Sequence, residues 1–388
     1  MPPSISAESL FDAAYEMEDA LDGAFKAVAL YGGAAEQGHT GAMVNLGVMY
    51  EQGRGVTADA SVAAGWYERA VDSGDPYGHY NLGRLYEKGI GVCKNEKEAI
   101  ALYTEAVGKG VAVAMFALAE MYEKGKGVER DEEKAVGLYK QAIEKGHLPS
   151  CVNLGLMYET GRGIDKNEEE AARLFRQAAF KKGLSAAQFN LGRLYESGKG
   201  VGKRDYGKAK TFYKRARKRG GDPSAMINLG LMYELGLGVG VDYPKAVRLY
   251  EEAMAKGAAT AKYNLARMCE DGKGTKRDTA RAAELYKQAA EEGDASALFN
   301  LALQYKDGRG VQPDPVKAAQ LYQQAADDGD ASAKYNLALM YIEGKGVPKD
   351  MEIATRLLED AQKHAETKLE QERTRQALHW VKQQNGSK

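Results

Sequence analysis

Apolar side chains recur at helical spacing in a segment that the chain carries in nine copies. One copy, residues 153–164, reads N-L-G-L-M-Y-E-T-G-R-G-I, and residues 228–239 repeat it almost unchanged. The anchor asparagine stands at Asn45, Asn81, Asn153, Asn190, Asn228, Asn264, Asn300 and Asn336, with Ala117 in the one gap, so that successive anchors are 36, 36, 36, 37, 38, 36, 36 and 36 residues apart. A fixed period in this range predicts a solenoid of stacked units.

Glycine and short polar residues divide each copy into two predicted helices. The first helix carries the pattern A-x-x-N-L-G-x-x-Y-E. It ends at a G-x-G-V turn such as residues 125–128, where glycine can adopt the left-handed conformation that ends a helix. A side-chain acceptor then caps the second helix. These predicted caps are Asp59, Asn95, Asp131, Asn167, Asp205, Asp242, Asp278, Asp314 and Asp350. The second helix should end at a further glycine: Gly74, Gly110, Gly146, Gly183, Gly220, Gly257, Gly293 or Gly329.

The two ends of the chain depart from the pattern, as the water-facing ends of a solenoid should. Residues 6–20 predict an acidic helix whose polar side carries Glu8, Asp12, Glu16, Glu18 and Asp19. After Asp350 the sequence reaches Gln384 without glycine or proline, which predicts a capping helix, continuous with the last repeat or following it, that docks through Leu378, Trp380 and Val381. We therefore expect an N-terminal helical cap over residues 1–23, a solenoid over 24–365, and a C-terminal capping helix with a short tail over 366–388.

Composition narrows the possible classes of protein. The 388 residues are 44% hydrophobic and carry a formal net charge of −1, so no global field draws the chain to nucleic acid or membrane. No apolar run approaches the roughly 18 residues of a membrane-spanning helix, and the first six residues lack a signal-peptide pattern. Cys93, Cys151 and Cys269 lie at unrelated repeat positions, which favours buried thiols in a reducing compartment. A cytoplasmic protein is expected.

Catalytic and cofactor motifs are absent from the sequence. The G-x-G turns follow helices rather than strands, so a nucleotide site is not indicated. The histidines show no metal-ligand spacing, and His39 and His147 share one position between repeats, which indicates surface variants. A glutamate recurs at one position of the first helix and is interpreted as a solvated or cap-linked face: Glu51, Glu87, Glu123, Glu159, Glu196, Glu234 and Glu270. We predict no enzyme activity, no cofactor and no metal.

The repeated unit resembles the Sel-1-like repeat family, relatives of the tetratricopeptide repeats with a longer turn between helices. The resemblance covers roughly residues 24–365 and rests on A-x-x-N-L-G-x-x-Y-x-x-G-x-G-V followed by D-x-x-K-A-x-x-L-Y. It implies an all-α, right-handed α/α superhelix of about nine two-helix repeats, with first helices on the concave side. It also implies a non-enzymatic adaptor or scaffold. A secreted branch associated with β-lactam binding carries paired cysteines in each repeat, and this chain lacks them.

Two positions on the first helix suggest where a protein partner would bind. The residue before each anchor is apolar or aromatic, and packing between adjacent first helices would explain it. Four residues later the chain varies between Val, Arg, Glu and Leu, which one core position cannot accommodate. Because solenoids bind partners along extended concave faces, this variation is a candidate code for partner choice. The candidate aromatic–guanidinium pairs are Tyr80 with Arg84, Phe189 with Arg193, and Tyr263 with Arg267.

The fifth repeat carries an unusual concentration of positive charge. Nine cations fall within residues 203–219 against the single acid Asp205. The candidate basic patch is Lys214, Arg215, Arg217, Lys218 and Arg219. A solvated outer helix face would account for it. The functional alternatives are a surface for an acidic partner or nucleic acid, and a nuclear-import signal, which would place the protein in the nucleus.

Overall fold

The computed structural model describes residues 6–18, 23–365 and 367–386, and within these ranges it contains α-helices and no strand. The helices are α1 (Ala7–Met17), α2 (Gly23–Glu36), α3 (Thr40–Gln52), α4 (Ala60–Asp72), α5 (Pro76–Lys88), α6 (Glu96–Gly108), α7 (Ala112–Lys124), α8 (Glu132–Glu144), α9 (Pro149–Thr160), α10 (Glu168–Lys181), α11 (Ser185–Ser197), α12 (Tyr206–Gly220), α13 (Pro223–Leu235), α14 (Tyr243–Met254), α15 (Ala259–Asp271), α16 (Thr279–Glu291), α17 (Ala295–Asp307), α18 (Pro315–Asp327), α19 (Ala331–Glu343), α20 (Met351–His364) and α21 (Lys368–Gly386). From α3 to α20, odd-numbered helices are the first helices of repeats and even-numbered helices the second.

The chain forms two compact units. The first extends to Leu194 and includes residues 198–203, and the second comprises residues 195–197 together with the chain from Arg204 onward. The division falls inside α11 and not at a linker. In each unit, consecutive helices pack against one another as helical hairpins that stack in chain order.

The predicted caps are confirmed in every repeat. The Asp131 side chain accepts a hydrogen bond from the Lys134 amide at 2.8 Å, and the Asp131 amide donates to the Tyr122 carbonyl at 3.0 Å. Gly125 ends the first helix with a φ of 66°. Each such cap contributes about 1 kcal/mol to stability. The second-helix ending differs from expectation in the fifth repeat, where α12 continues through Gly220 and the left-handed residue is Gly221.

A tyrosine from α2 and from seven of the nine second helices of the repeats forms the centre of the core. Large, fully buried side chains include Tyr31, Tyr67, Tyr103, Tyr139, Tyr213, Tyr250, Tyr286 and Tyr322, with Phe175 at the same position of the fourth repeat. The tyrosine ring lies on the first-helix glycine that follows the anchor. A methyl group added at Gly47 would lie 2.5 Å from the Tyr67 ring. This glycine therefore lets the paired helices approach closely.

The second glycine of each turn sets the distance between neighbouring repeats. A Cβ at Gly91 would lie 2.3 Å from the carbonyl of Ala60, the first residue of the preceding second helix. Gly310 meets the backbone of Thr279 in the same way. Backbone atoms cannot move aside as a flexible side chain can, so this position requires glycine for packing as well as for its positive φ. The sequence predicted these turn glycines only as residues that end a helix, and not as contacts between repeats.

The N-terminal helices form a repeat-like pair. Helix α1 packs on α2, and Ala14, Ala27 and Tyr31 are completely buried between them and α3. Glu18 was expected on the solvated side, and that prediction is wrong. Its carboxylate accepts a hydrogen bond from the Tyr31 hydroxyl at 2.8 Å and forms an ion pair with Arg54. Asp19, also predicted on that side, lies outside the described residues.

The C-terminal helix α21 is separate from α20 and packs on it. Leu378 and Val381 are buried in a cluster with Ala338, Ala354 and Leu358, as predicted. Trp380 is 46% exposed, so the prediction that it docks is wrong. Residues three and four apart share a helix face, whereas Trp380 lies only two residues after Leu378 and therefore projects from another side.

Candidate functional site

The recurring glutamate of the first helix accepts a hydrogen bond from the buried second-helix tyrosine. Equivalent bonds join Tyr67 to Glu51 at 3.1 Å, Tyr103 to Glu87 at 2.9 Å, Tyr139 to Glu123 at 2.7 Å, Tyr213 to Glu196 at 2.5 Å, Tyr250 to Glu234 at 2.8 Å and Tyr286 to Glu270 at 3.0 Å. Burial, reinforced by the acceptor carboxylate, raises the pKa of Tyr67, Tyr103, Tyr139, Tyr250 and Tyr286. The hydroxyl is therefore a permanent donor at neutral pH.

The same glutamate binds a cation from the following repeat. Arg84 donates from its two terminal nitrogens to the two oxygens of Glu51 at 2.7 and 2.5 Å. The hydrogen bond from Arg84 holds the pKa of Glu51 below its ordinary value. Two-point contacts between guanidinium and carboxylate are strong and directional. This tyrosine–glutamate–cation chain thus links two helices of one repeat to the next repeat.

The cation reaches the glutamate from either of two sequence positions. In three repeats it is an arginine three residues after the anchor: Arg84, Arg193 and Arg267 pair with Glu51, Glu159 and Glu234. In others it is the middle residue of the G-x-G turn: Arg54, Lys126, Arg162 and Arg309 pair with Glu18, Glu87, Glu123 and Glu270. The second source explains why Glu120, Leu156 and Leu303 can replace arginine at the variable position. In these three repeats the variation is therefore compensated within the fold.

The recurring first-helix glutamates from Glu51 to Glu270 form a glutamate ladder, and the prediction that this ladder is a solvated face is wrong. Side-chain exposure falls to 17% at Glu51 and 6% at Glu234. A carboxylate that loses this much water requires hydrogen-bond donors and a countercharge. The regular spacing of the glutamates did not indicate these donors. The partners of Glu51 are distant in the sequence, since Tyr67 lies 16 residues later and Arg84 lies 33 residues later.

The anchor asparagine extends this network in some repeats. Asn153 donates to the Tyr139 hydroxyl at 2.9 Å and Asn228 to the Tyr213 hydroxyl at 3.1 Å, each tyrosine belonging to the preceding repeat. Asn190 and Asn264 instead donate to carbonyls one turn earlier in their own helices. The anchor therefore stabilises either the contact between repeats or the first helix itself.

The lysine of the D-x-x-K motif packs on the tyrosine that ends the first helix. The ammonium groups of Lys134, Lys245 and Lys317 lie 4.2, 4.4 and 4.5 Å from the ring centres of Tyr122, Tyr233 and Tyr305. Such cation–π contacts contribute about 0.5–1 kcal/mol at exposed sites. The motif is thus a structural contact across the long turn, and spacing alone did not indicate it.

The aromatic residue before the anchor packs within its own repeat. The ring centres of Tyr80 and Tyr103 are 5.9 Å apart, and those of Tyr263 and Tyr286 are also 5.9 Å apart. This contact is with the second helix, whereas the sequence suggested packing between adjacent first helices. The Arg267 guanidinium lies 5.9 Å from the Tyr263 ring centre, which agrees with the expected aromatic–guanidinium pair.

The candidate arginines retain partial exposure beside their ion pairs. Side-chain exposure is 22% at Arg84, 37% at Arg193 and 35% at Arg267. The neighbouring aromatic residues Tyr80 and Phe189 are both half-buried. Part of each guanidinium group is therefore accessible to solvent, although the same group forms an ion pair between neighbouring repeats.

The basic patch lies on α12 and is mostly exposed. Lys214, Arg215, Lys218 and Arg219 are exposed, and the Arg215 guanidinium lies 5.5 Å from the Phe212 ring centre. Arg217 is half-buried and binds the two oxygens of Glu252 at 2.8 and 2.7 Å. Arg217 therefore joins two second helices, and the remaining cations form the surface available to a partner.

His39 and Cys93 lie in surroundings other than those predicted. His39 is not a surface variant, because its Nδ1 accepts a hydrogen bond from the Ala42 amide and its ring stacks on Phe11 with centres 4.3 Å apart. Cys151 and Cys269 are buried as predicted, and burial raises the pKa of both thiols. Cys93 is exposed, since it follows the G-x-G-V turn at the edge of its repeat.

Metal-ligating side chains do not converge anywhere in the described residues, where histidine, cysteine and carboxylate groups form no cluster of three or more. Within the same residues no helix has both the length and the apolar character needed to cross a membrane. The chemistry that the side chains do offer consists of partly exposed arginines, aromatic rings and a basic helix face.

Stacked two-helix repeats with a glycine-rich turn define an α/α solenoid of the Sel1 type. The Sel1 repeat family matches residues 40–75, 76–111, 112–147, 148–179, 185–221, 223–257, 259–294, 295–330 and 331–361. The chain belongs to the Sel1 repeat family. Proteins with this fold are generally protein-interaction scaffolds.

Solved structures show the same architecture. The protective antigen c5321 of uropathogenic Escherichia coli, which displays an SLR fold, is 26% identical with a TM-score of 0.62, over 98% of this chain and 88% of that one. A Sel1 repeat protein from Oxalobacter formigenes is 30% identical with a TM-score of 0.58, over 82% of this chain and 88% of that one. A comparison with curated protein sequences found no significant match.

Proposed function

We propose that this protein is a non-enzymatic adaptor that binds segments of partner proteins along its first helices. The observation that carries the proposal is the constant repeat frame, on which partly exposed arginines and aromatic rings vary from repeat to repeat. Tyrosine and arginine are enriched among residues that dominate binding energy. The partner-binding positions proposed are Tyr80, Arg84, Phe189, Arg193, Tyr263 and Arg267.

The chemistry of these positions favours a partner segment with acidic and apolar side chains. Each guanidinium already binds one glutamate of the protein, and its remaining N–H groups can donate to a second carboxylate. The adjacent ring supplies an apolar surface to the same segment. Each position would therefore contribute a separate contact of the same kind.

The test compares two sets of arginine variants. The first set, Arg84→Ala, Arg193→Ala and Arg267→Ala, removes cations from the first helices. The matched control, Arg54→Ala, Arg162→Ala and Arg309→Ala, removes turn cations that pair with Glu18, Glu123 and Glu270. Both sets lose ion pairs between repeats, so a difference in partner binding cannot result from that loss alone.

Affinity-purified partners, quantified by mass spectrometry, provide the readout. A partner of the first-helix positions should be recovered more than about 10-fold less with the first set, if each arginine contributes about 1 kcal/mol or more. The turn set should retain it, and circular dichroism should show both sets folded. Equal recovery with the two sets would contradict the proposal.

A second candidate function is binding of nucleic acid, or nuclear import, through the basic patch. The exposed Lys214, Arg215, Lys218 and Arg219 on α12 favour it. Lys214→Glu with Lys218→Glu reverses two exposed charges and leaves the Arg217–Glu252 pair intact. If the patch binds nucleic acid, the shift of labelled RNA or DNA should weaken steeply with salt and disappear in this variant. Absence of a shift at low salt would leave the patch as a solvated helix face.

A further inference from the structure

A cavity of about 220 Å³ lies in the second unit, where the beginning of α21 meets the first helices α17 and α19. Residues that line it include Phe299, Ser332, Tyr335, Asn336, Arg373 and Thr374. Clefts for whole drug-sized ligands measure roughly 300–1,000 Å³, so this cavity suits a single large side chain.

The apolar wall of the cavity is held in place by the core. Phe299 packs against the buried Tyr322, with ring centres 5.8 Å apart. Tyr335 packs against the cluster that contains the buried Leu378 and Val381. Because both rings are fixed by their neighbours, an entering side chain would meet a preformed surface and little rearrangement would be needed.

The acidic group at the cavity is already bound within the protein. Glu370 accepts a hydrogen bond from the Thr367 amide at 3.0 Å, and the Thr367 hydroxyl accepts one from the Glu370 amide at 3.2 Å, which together form a capping box at the start of α21. The other Glu370 oxygen accepts from the Ser332 hydroxyl at 3.3 Å. These bonds direct the carboxylate toward the helix terminus.

Arg373 is an unpaired positive charge at the rim of the cavity. It is exposed, and within residues 6–18, 23–365 and 367–386 it has neither an ion-pair nor a hydrogen-bond partner. On the same helix Arg375 pairs with Glu372. Asn336 donates to the Ser332 carbonyl at 2.8 Å, and its amide oxygen can still accept a hydrogen bond. An unpaired guanidinium therefore stands beside an apolar slot.

We infer that this cavity binds one apolar or aromatic side chain of a partner protein segment while Arg373 binds an adjacent carboxylate of that segment. The inference rests on the proposed adaptor function and specifies a contact that differs from the first-helix arginines. Guanidinium groups bind carboxylates by paired N–H donors, which selects an acidic residue. The size of the cavity and its aromatic wall favour phenylalanine, leucine or a similar apolar residue next to that acidic residue in the partner segment.

The test uses the purified full chain with alanine methyl groups labelled for NMR, because Ala331 and Ala365 line the cavity. The probe is the dipeptide N-acetyl-Phe-Glu-amide, titrated to millimolar concentration. We expect saturable shifts of the Ala331 and Ala365 methyl resonances. The matched probes N-acetyl-Ser-Glu-amide and N-acetyl-Phe-Gln-amide should each bind more weakly, since one lacks the ring and the other the charge.

Two variants and one control locate the binding. Arg373→Glu should raise the Kd of the first probe at least about tenfold. Lys368→Glu makes the same charge change on an exposed residue of α21 that does not line the cavity, and it should leave the Kd unchanged. Ala331→Phe should fill the slot and abolish the shift at Ala365.

Three results would overturn the inference: no saturable shift, equal shifts with all three probes, or an unchanged Kd in Arg373→Glu. The readout requires no partner protein. Failure of this inference can therefore be distinguished from failure of the proposed adaptor function. The dipeptide tests the cavity directly, and its binding does not depend on the result obtained with the first-helix arginine variants.

Discussion

Phe175 lies where seven of the other second helices place a tyrosine, and the buried Oε2 oxygen of Glu159 consequently has no hydrogen-bond partner among the described residues. The Phe175 ring still packs on Gly155, as Tyr67 packs on Gly47. Only the hydroxyl is missing. A buried acceptor without a partner costs about 1–3 kcal/mol, so the fourth repeat carries a local defect.

Phe175→Tyr should repair this defect. The added hydroxyl should donate to Glu159 and raise the free energy of unfolding by about 1 kcal/mol, measured by urea denaturation. Phe116→Tyr is the matched control. It adds a hydroxyl at a position where other repeats carry tyrosine, as at Tyr80, and this hydroxyl is not directed to the Glu159 oxygen. Equal effects of the two changes would show that Glu159 is satisfied in another way, for example by water.

The eighth repeat should show the reverse defect. Among the residues that the structure describes, its buried Tyr322 hydroxyl has no hydrogen-bond partner. Lys306 lies 16 residues before Tyr322, as Glu270 lies 16 residues before Tyr286. Lys306→Glu should supply the acceptor and stabilise the protein by about 0.5–1.5 kcal/mol. In the Tyr322→Phe background the same change should give no such gain. A double-mutant cycle with zero coupling energy would refute the assignment.

The second turn glycine should be essential for stacking. Gly91→Ala would bring a Cβ within 2.3 Å of the Ala60 carbonyl and force a left-handed φ on alanine, so we expect a loss of more than about 2 kcal/mol in unfolding free energy. Gly65→Ala, in a helix with open space around it, should stabilise by about 0.5–1 kcal/mol. A small effect at Gly91 would mean that neighbouring repeats can separate at little cost.

Stability should decrease in acid through the glutamate ladder. The hydrogen bond from Arg84 lowers the pKa of Glu51, so the folded protein binds a proton there less readily than the unfolded chain. The resulting stabilisation is complete above the ordinary pKa of 4.5 and is lost as the pH falls through the lowered value. Thermal denaturation of the wild type between about pH 6 and 3 should therefore show a steeper decline than that of Glu51→Gln. Parallel curves would argue against this linkage.

The C-terminal helix should act as a cap through Val381 rather than Trp380. Val381 is completely buried, and replacing it with Asp would place a charge in the cluster with Leu358, costing several kcal/mol. Trp380→Asp should have a small effect because that side chain is exposed. Deletion of residues 366–388 should lower the melting temperature or solubility by exposing this cluster. Identical melting and solubility of the truncated protein would contradict a capping role.

The amino-acid sequence by itself determined the local structure of this protein. Asp131 and Gly125 predicted helix ends because a capping acceptor and a left-handed glycine act within a few residues of the chain. The 36-residue period predicted the stacking of two-helix units, because neither helix can bury its apolar face alone. Such interactions repeat with the sequence and can be recognised from it.

Only the tertiary structure decided which polar groups meet between repeats. Glu51 looked solvated by its position, yet it contacts Tyr67 and Arg84, which lie 16 and 33 residues later. Either of two positions can supply the cation, as Arg84 and Arg162 show, so no fixed spacing marks the pair. Burial makes each carboxylate depend on partners that are near in space and distant in sequence, and their positions follow only from how the helices pack.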